Sequence, residues 1–177
     1  QALLGLRISL GMAVNLGWPI VFSIVGAVAA TILFGLLVSR FFGYGPRFAF
    51  LSAGSVAICG ASAALAISAI MPSDERTEER LVFTVVGVTI LSTFAMIIYP
   101  ILADALSYNT KLAGIFLGAT IHDVAQAVGA GFSKSEATGD IATVVKLIRV
   151  SMLAPIILMA SIFIRRLSNA ELGKGKR

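Results

Sequence analysis

A chain of 177 residues that is 58% hydrophobic and 13% charged, with mean hydropathy +0.95, departs from soluble domains, which are typically about 45–50% apolar and about 25% charged. Its charges cluster between long apolar runs, which excludes a soluble globular domain and makes this a polytopic membrane protein. The net charge of +5 lies mostly in connections and a basic tail rather than on a face interleaved with aromatics, which argues against nucleic acid as a partner.

Apolar runs of about 20 residues cross the roughly 30 Å hydrocarbon layer. The first stretch, 1–14, carries Arg7 and is too short to cross; beginning at Gln1 without an initiator Met, it reads as the end of a truncated transmembrane helix. Five transmembrane segments are predicted at 18–39, 47–71, 81–103, 112–132 and 141–164, followed by a basic tail over 165–177. The segment 18–39 is rich in β-branched and large apolar residues and is expected at the periphery, against lipid. Within 53–69, 13 of 17 residues are Ala, Gly, Ser or Cys, and small residues let helix backbones approach closely, so this helix is expected to be buried. Gly114 and Gly118 form a GxxxG pair with the same implication. Ser133-Lys134-Ser135-Glu136 fits a capping box that starts the last helix outside the bilayer, and Pro155 is expected to kink it. The single cysteine, Cys59, allows no intrachain disulfide.

With five crossings and the tail placed in the cytoplasm, Arg40, Arg47, Lys111, Arg165, Arg166, Lys174, Lys176 and Arg177 lie inside, and Arg76, Arg80 and Lys134 outside. Eight against three satisfies the positive-inside rule, which predicts a cytoplasmic C-terminus.

The candidate functional residues are the polar ones at mid-depth. His122, the only histidine, adjoins Asp123, with Gln126 one turn on. An ionisable group at the bilayer centre costs about 2.5–3.5 kcal/mol on insertion scales and is tolerated where it is paired or lines a wet pathway. Lys146 and Arg149 lie six and nine residues beyond Asp140, about 9 and 13 Å in at 1.5 Å per residue. If the last two segments are antiparallel neighbours, Asp123 meets one of these cations. One reading is a charge pair that only locks two helices. The other rests on two cations facing one firm anion, since an unperturbed imidazole is mostly neutral near pH 7; a surplus cation suits an oxyanion, with Arg149 offering a bidentate fork. Gly60, in Cys59-Gly60-Ala61-Ser62, suggests a break whose freed backbone groups line a cavity, although tight packing alone would also explain it. Zinc chemistry needs several His or Cys ligands, and a serine nucleophile at Ser62 lacks the GxSxG elbow. No enzyme activity, metal or cofactor is therefore expected.

Residues 57–63 (AICGASA), 119–126 (ATIHDVAQ) and 139–150 (GDIATVVKLIRV) resemble the signature stretches of the YeiH-like family of bacterial inner-membrane proteins, a family assigned as sulfate exporters. The resemblance runs from Gly5-Leu6-Arg7 to Arg165-Arg166. It implies a protein about twice this length with a second membrane half upstream. It also implies one inverted repeat of an all-α fold like those of sodium/proton antiporters or bile-acid symporters, with 112–132 as the broken crossing helix.

The expected function is secondary transport of a small anion, sulfate or sulfite, outward through a midplane site in the bacterial inner membrane. Arg149 and Lys146 would bind the anion, Gln126, Ser62, Gly60 and Cys59 would complete the site, and His122 and Asp123 would couple transport to protons or balance charge. A cation/proton antiporter using Asp123 is the main alternative, and a non-transporting membrane scaffold or sensor is another. The partners expected are the anion, the bilayer and the upstream half, with a homo-oligomer left open.

Overall fold

Long stretches of Leu, Ile, Val, Phe and Ala give the backbone no partner in lipid but itself. All seven regular elements among the described residues are accordingly α-helices. The computed structural model describes residues 18–72 and 75–162, without the Arg47 side chain. Arg7 and the tail lie outside these residues. In chain order the helices are α1 (Trp18–Phe41), α2 (Pro46–Ala57), α3 (Ala61–Ile70), α4 (Thr77–Ala105), α5 (Thr110–Thr120), α6 (Val124–Lys134) and α7 (Glu136–Ser151). Beyond a turn at Met152, α7 resumes over 153–162. Pro155 has no N–H to return to the Ser151 carbonyl, which accounts for the interruption.

Three helices among the described residues are long and apolar enough to cross a membrane: Trp18–Phe41, Thr77–Ala105 and Glu136–Ile162. The stretches 47–71 and 112–132, expected as single segments, are not continuous helices. Each forms two half-length helices that double back. A side chain at Gly54 of α2 would collide with Ile67 of α3, and Leu51 shares a small cavity with Ser68 and Met71. These two helices therefore lie side by side and antiparallel. The tip between them, Ile58-Cys59-Gly60, reaches Val88 near the middle of α4; a Cβ on Gly60 would stand 3.0 Å from Val88 Cγ1.

The second hairpin enters from the other end. Phe116 of α5 packs against both Tyr99 and Tyr108, with ring centroids 5.5 and 5.6 Å apart, so α5 runs back along α4. The chain turns at Ile121–Asp123 beside Ser92. Next, α6 retraces α4 in parallel, with Gln126 bonded to Thr93 and Lys134 paired with Asp104. Both hairpin tips thus reach the middle of α4, from opposite ends of the bundle.

The ends of the elements follow from this arrangement. Arg40, Arg47, Arg76 and Arg80 share one end, the arginine end, whereas Lys111 and Lys134 share the other, the lysine end. The five-crossing count had instead put Arg76, Arg80 and Lys134 on one side and Lys111 opposite. Starting at the lysine end, α7 runs parallel to α5, with Gly114 against Thr138 and Ile141 and Gly118 against Ala142 and Val145. A Cβ on Gly118 would stand 2.5 Å from the Ala142 carbonyl oxygen, so the two backbones touch there, as the GxxxG pair implies. The helix cap is Ser135, not Ser133: its Oγ accepts from Thr138 N at 3.1 Å. Because α7 begins at Glu136, Lys146 and Arg149 lie deeper than expected, about 15 and 20 Å from its start.

Small residues fill the first hairpin's interior, where Ala53, Ala57, Ile58, Cys59, Ala63, Ala64 and Ile67 are buried. Apolar side chains cover the outside: Phe22, Leu33, Phe34 and Leu37 on α1 and Phe83, Ile90, Phe94, Ile97 and Ile101 on α4 are exposed. This inside-out distribution is that of a helical membrane bundle.

Candidate functional site at the hairpin tips

Breaking a helix leaves carbonyls without partners at its C-terminal end and N–H groups unpaired at the next N-terminus. In lipid no water meets them. Two such breaks face each other at mid-depth here, and α7 supplies the donors for both. Lys146 is fully buried and Arg149 is 5% exposed. Lys146 Nζ donates to Ile121 O at 2.5 Å and to Ile58 O at 3.5 Å. Arg149 Nε donates to Ala57 O at 2.5 Å and Nη2 to Val56 O at 3.0 Å, while Nη1 donates to Ala119 O.

Each cation therefore touches both hairpins. The acceptors belong to the C-terminal ends of α2 and α5, where the helix dipole is negative, and cations are favoured there. The spacing i, i+3 puts both side chains on one face of α7.

Asp123 does not pair with either cation; the sole ion pair between described residues is Lys134–Asp104, at the lysine end. This corrects the expected Asp123 bridge. Asp123 is instead the N-cap of α6, its Oδ1 accepting from Gln126 N at 3.2 Å and its own N–H donating to Ser92 Oγ at 2.9 Å. Capping by aspartate is a strong local preference, and the carbonyls freed by the breaks claim the cations first. Since α6 starts at Val124, His122 lies in the tip and does not share a helical face with Gln126. Gln126 Nε2 donates to Thr93 Oγ1 at 3.1 Å. Among the described residues, two buried side-chain atoms are left without a partner: His122 Nδ1 and Gln126 Oε1.

Of the other candidates, Cys59 and Gly60 are buried in the first tip. Gly60 has φ +68°, a left-handed conformation open to glycine at little cost. Ser62 is exposed on the first turn of α3. Ser92 and Thr93 are not among the residues that the sequence singles out. Thr93 donates to Thr89 O, and both residues also hold the second tip. Their place opposite the HisAsp pair, half-way along a long helix, was the available signal.

The family described as Conserved hypothetical protein 698 matches residues 2–177. A UPF0324 membrane protein of Rhizobium meliloti (strain 1021) is 53% identical over 99% of this chain and 51% of its own length. The UPF0324 membrane protein TauZ of Paracoccus pantotrophus is 56% identical over 99% of this chain and 52% of its own. One from Chlorobaculum tepidum is 54% identical over 93% and 46%. The chain thus spans about half the length of these relatives. No solved structure gives a significant match.

Proposed function

The chain belongs to the family described as Conserved hypothetical protein 698, and on that premise we propose that it forms part of a secondary transporter moving a small anion through the junction of the two hairpin tips. One observation carries this reading: two cations, Lys146 and Arg149, stand buried about midway along the span Glu136–Ile162, with no carboxylate paired to them among the described residues. Ionisable groups at that depth are costly and mark solute pathways. The guanidinium has five N–H groups and the ammonium three. Three of Arg149's bonds and two of Lys146's are formed within the chain, and the remaining N–H groups give an arriving oxyanion its first contacts. The N-terminus of α3 opens at the same junction, and helix N-termini favour anions.

On this reading Gln126, Ser62, Gly60 and Cys59 complete the site, and His122 and Asp123 set its charge or carry coupling protons. No bond-making step is part of it. Sulfate and sulfite are the first substrates to try, in line with the family resemblance, and the direction is outward. Orientation follows the positive-inside rule: among the described residues, four arginines at the arginine end against two lysines at the other support a cytoplasmic arginine end, where α7 also finishes, in a bacterial inner membrane. The rest of the full-length protein is the expected partner, with a second copy of the chain left as a further one.

A second reading, a cation/proton antiporter, is favoured by a different observation. Asp123 has no cationic partner, and His122 Nδ1 and Gln126 Oε1 are buried and unpaired, an acceptor-rich group suited to a proton or small cation.

Uptake of radiolabelled sulfate and sulfite into vesicles holding the full-length protein, at two pH values, separates the two. Under the anion reading Arg149→Gln lowers the wild-type flux at least about tenfold. If the wild-type protein instead carries sodium- or proton-coupled flux that Asp123→Asn removes, with no anion flux, the antiporter reading replaces it.

A further inference from the structure

Lys146 and Arg149 do more than line the junction, because each one ties the first hairpin to the second. Lys146 bridges Ile58 of one tip and Ile121 of the other. Arg149 bridges Val56 and Ala57 on one side and Ala119 on the other. The hairpins α2–α3 and α5–α6 enter from opposite ends, and the long α4 lies between them in the chain. We propose that these two side chains are a latch: they hold the tips together while the site is empty, and an oxyanion opens it by taking the same N–H groups from the helix-end carbonyls.

The inference rests on the anion reading above for its trigger but not for the latch itself. The chemistry is an exchange of acceptors. A carbonyl at a helix end bears a partial negative charge, about half an elementary charge per helix end, whereas an oxyanion bears at least a full one and accepts a bidentate pair from arginine. The two acceptors compete for donors fixed on one helix face, so loading the site loosens the tips. Solute occupancy is thereby coupled to movement of one hairpin against the other, through contacts that differ between the two states.

Cys59 reports on the latch. It sits in the first tip, adjacent to Ile58, and is 2% exposed, so it is shielded while the tips are held. The test uses the full-length protein in detergent with any cysteine outside this chain replaced, and measures the rate of Cys59 labelling by a small maleimide. Lys146→Gln and Arg149→Gln, each checked for a monodisperse elution profile, are expected to label at least about fivefold faster than the parent without any added anion. Unchanged labelling in both variants overturns the latch, whatever the substrate. If either variant fails to elute as a folded species, Lys146→Arg, which keeps the charge but shifts the donors, takes its place under the same criterion.

The trigger is read on the parent protein with sodium sulfate, sulfite and phosphate in turn. An anion that raises thermal stability and also speeds Cys59 labelling supports it. One that binds and leaves labelling unchanged overturns it. Fast labelling in the variants with no anion bound or transported keeps the latch and removes the anion reading.

Discussion

Lys146 shows how an expensive residue becomes a structural necessity. Its ammonium meets the Ile121 and Ile58 carbonyls, both at ends created by a break, and each would otherwise be a buried acceptor without a donor. Such a group costs about 1–3 kcal/mol. Lys146→Met is therefore expected to lower the thermal unfolding midpoint of the full-length protein clearly, and Lys111→Met, at an exposed position, to leave it unchanged; differential scanning fluorimetry in detergent makes the comparison. Equal midpoints for the two variants would show that the carbonyls do not depend on the ammonium. The sequence announced this residue through its charge, its depth and its spacing from Arg149. What it hid was the partner. Asp123 is the obvious counter-charge when helices are taken as continuous, and only the breaks create the carbonyls that take its place. Asp123 itself was legible in another sense, as an N-cap residue ahead of an apolar run, but its charge drew the attention instead.

At the scale of elements, the hairpins were the part that pattern could not give. Residues 47–71 and 112–132 have the length and apolarity of a span, and length counts residues without direction. Gly60 marked the first break by its conformational freedom, and the HisAsp pair marked the second, yet neither signals that the chain reverses. The small residues did carry information. They allow α5 to lie on α7 and α2 on α3, as the burial of Ala53, Ala57, Ala63 and Ala64 and the Gly118 contact show. Gly118→Val would drive a methyl-bearing carbon into the Ala142 backbone and force the two helices apart, a strain of about 1–3 kcal/mol. Gly26, with nothing within 4 Å of a Cβ, is a matched control on α1, and Gly26→Ala should be neutral or slightly stabilising, since alanine favours helix. Expression and thermal stability of the two full-length variants decide this; a tolerated Gly118→Val would mean that α5 and α7 are not in contact.

Across the described residues, three helices long enough to span and two opposed hairpins bring together features that five continuous segments left apart. The exposed apolar faces of α1 and α4 suit lipid or further protein, while the polar residues gather where the tips meet. Among the described residues, Arg40, Arg47, Arg76 and Arg80 collect at one end of the bundle and Lys111 and Lys134 at the other. The overall class, a helical membrane bundle, was plain from composition; the doubling back of 47–71 and 112–132 was not, because it depends on the path of the chain between their ends.

That path is what the account stands on, and the sidedness of the hairpin ends tests it most directly. Single cysteines at Tyr44, Pro72, Leu106 and Ser135, in a full-length background with Cys59→Ser and no other cysteine, are exposed to an impermeant maleimide in right-side-out and inverted vesicles. Tyr44→Cys and Pro72→Cys are expected to react from one side, and Leu106→Cys and Ser135→Cys from the other. Reaction of positions 44 and 72 from opposite sides, or of 106 and 135 from opposite sides, would make that hairpin a crossing helix and contradict the meeting of two tips around Lys146 and Arg149.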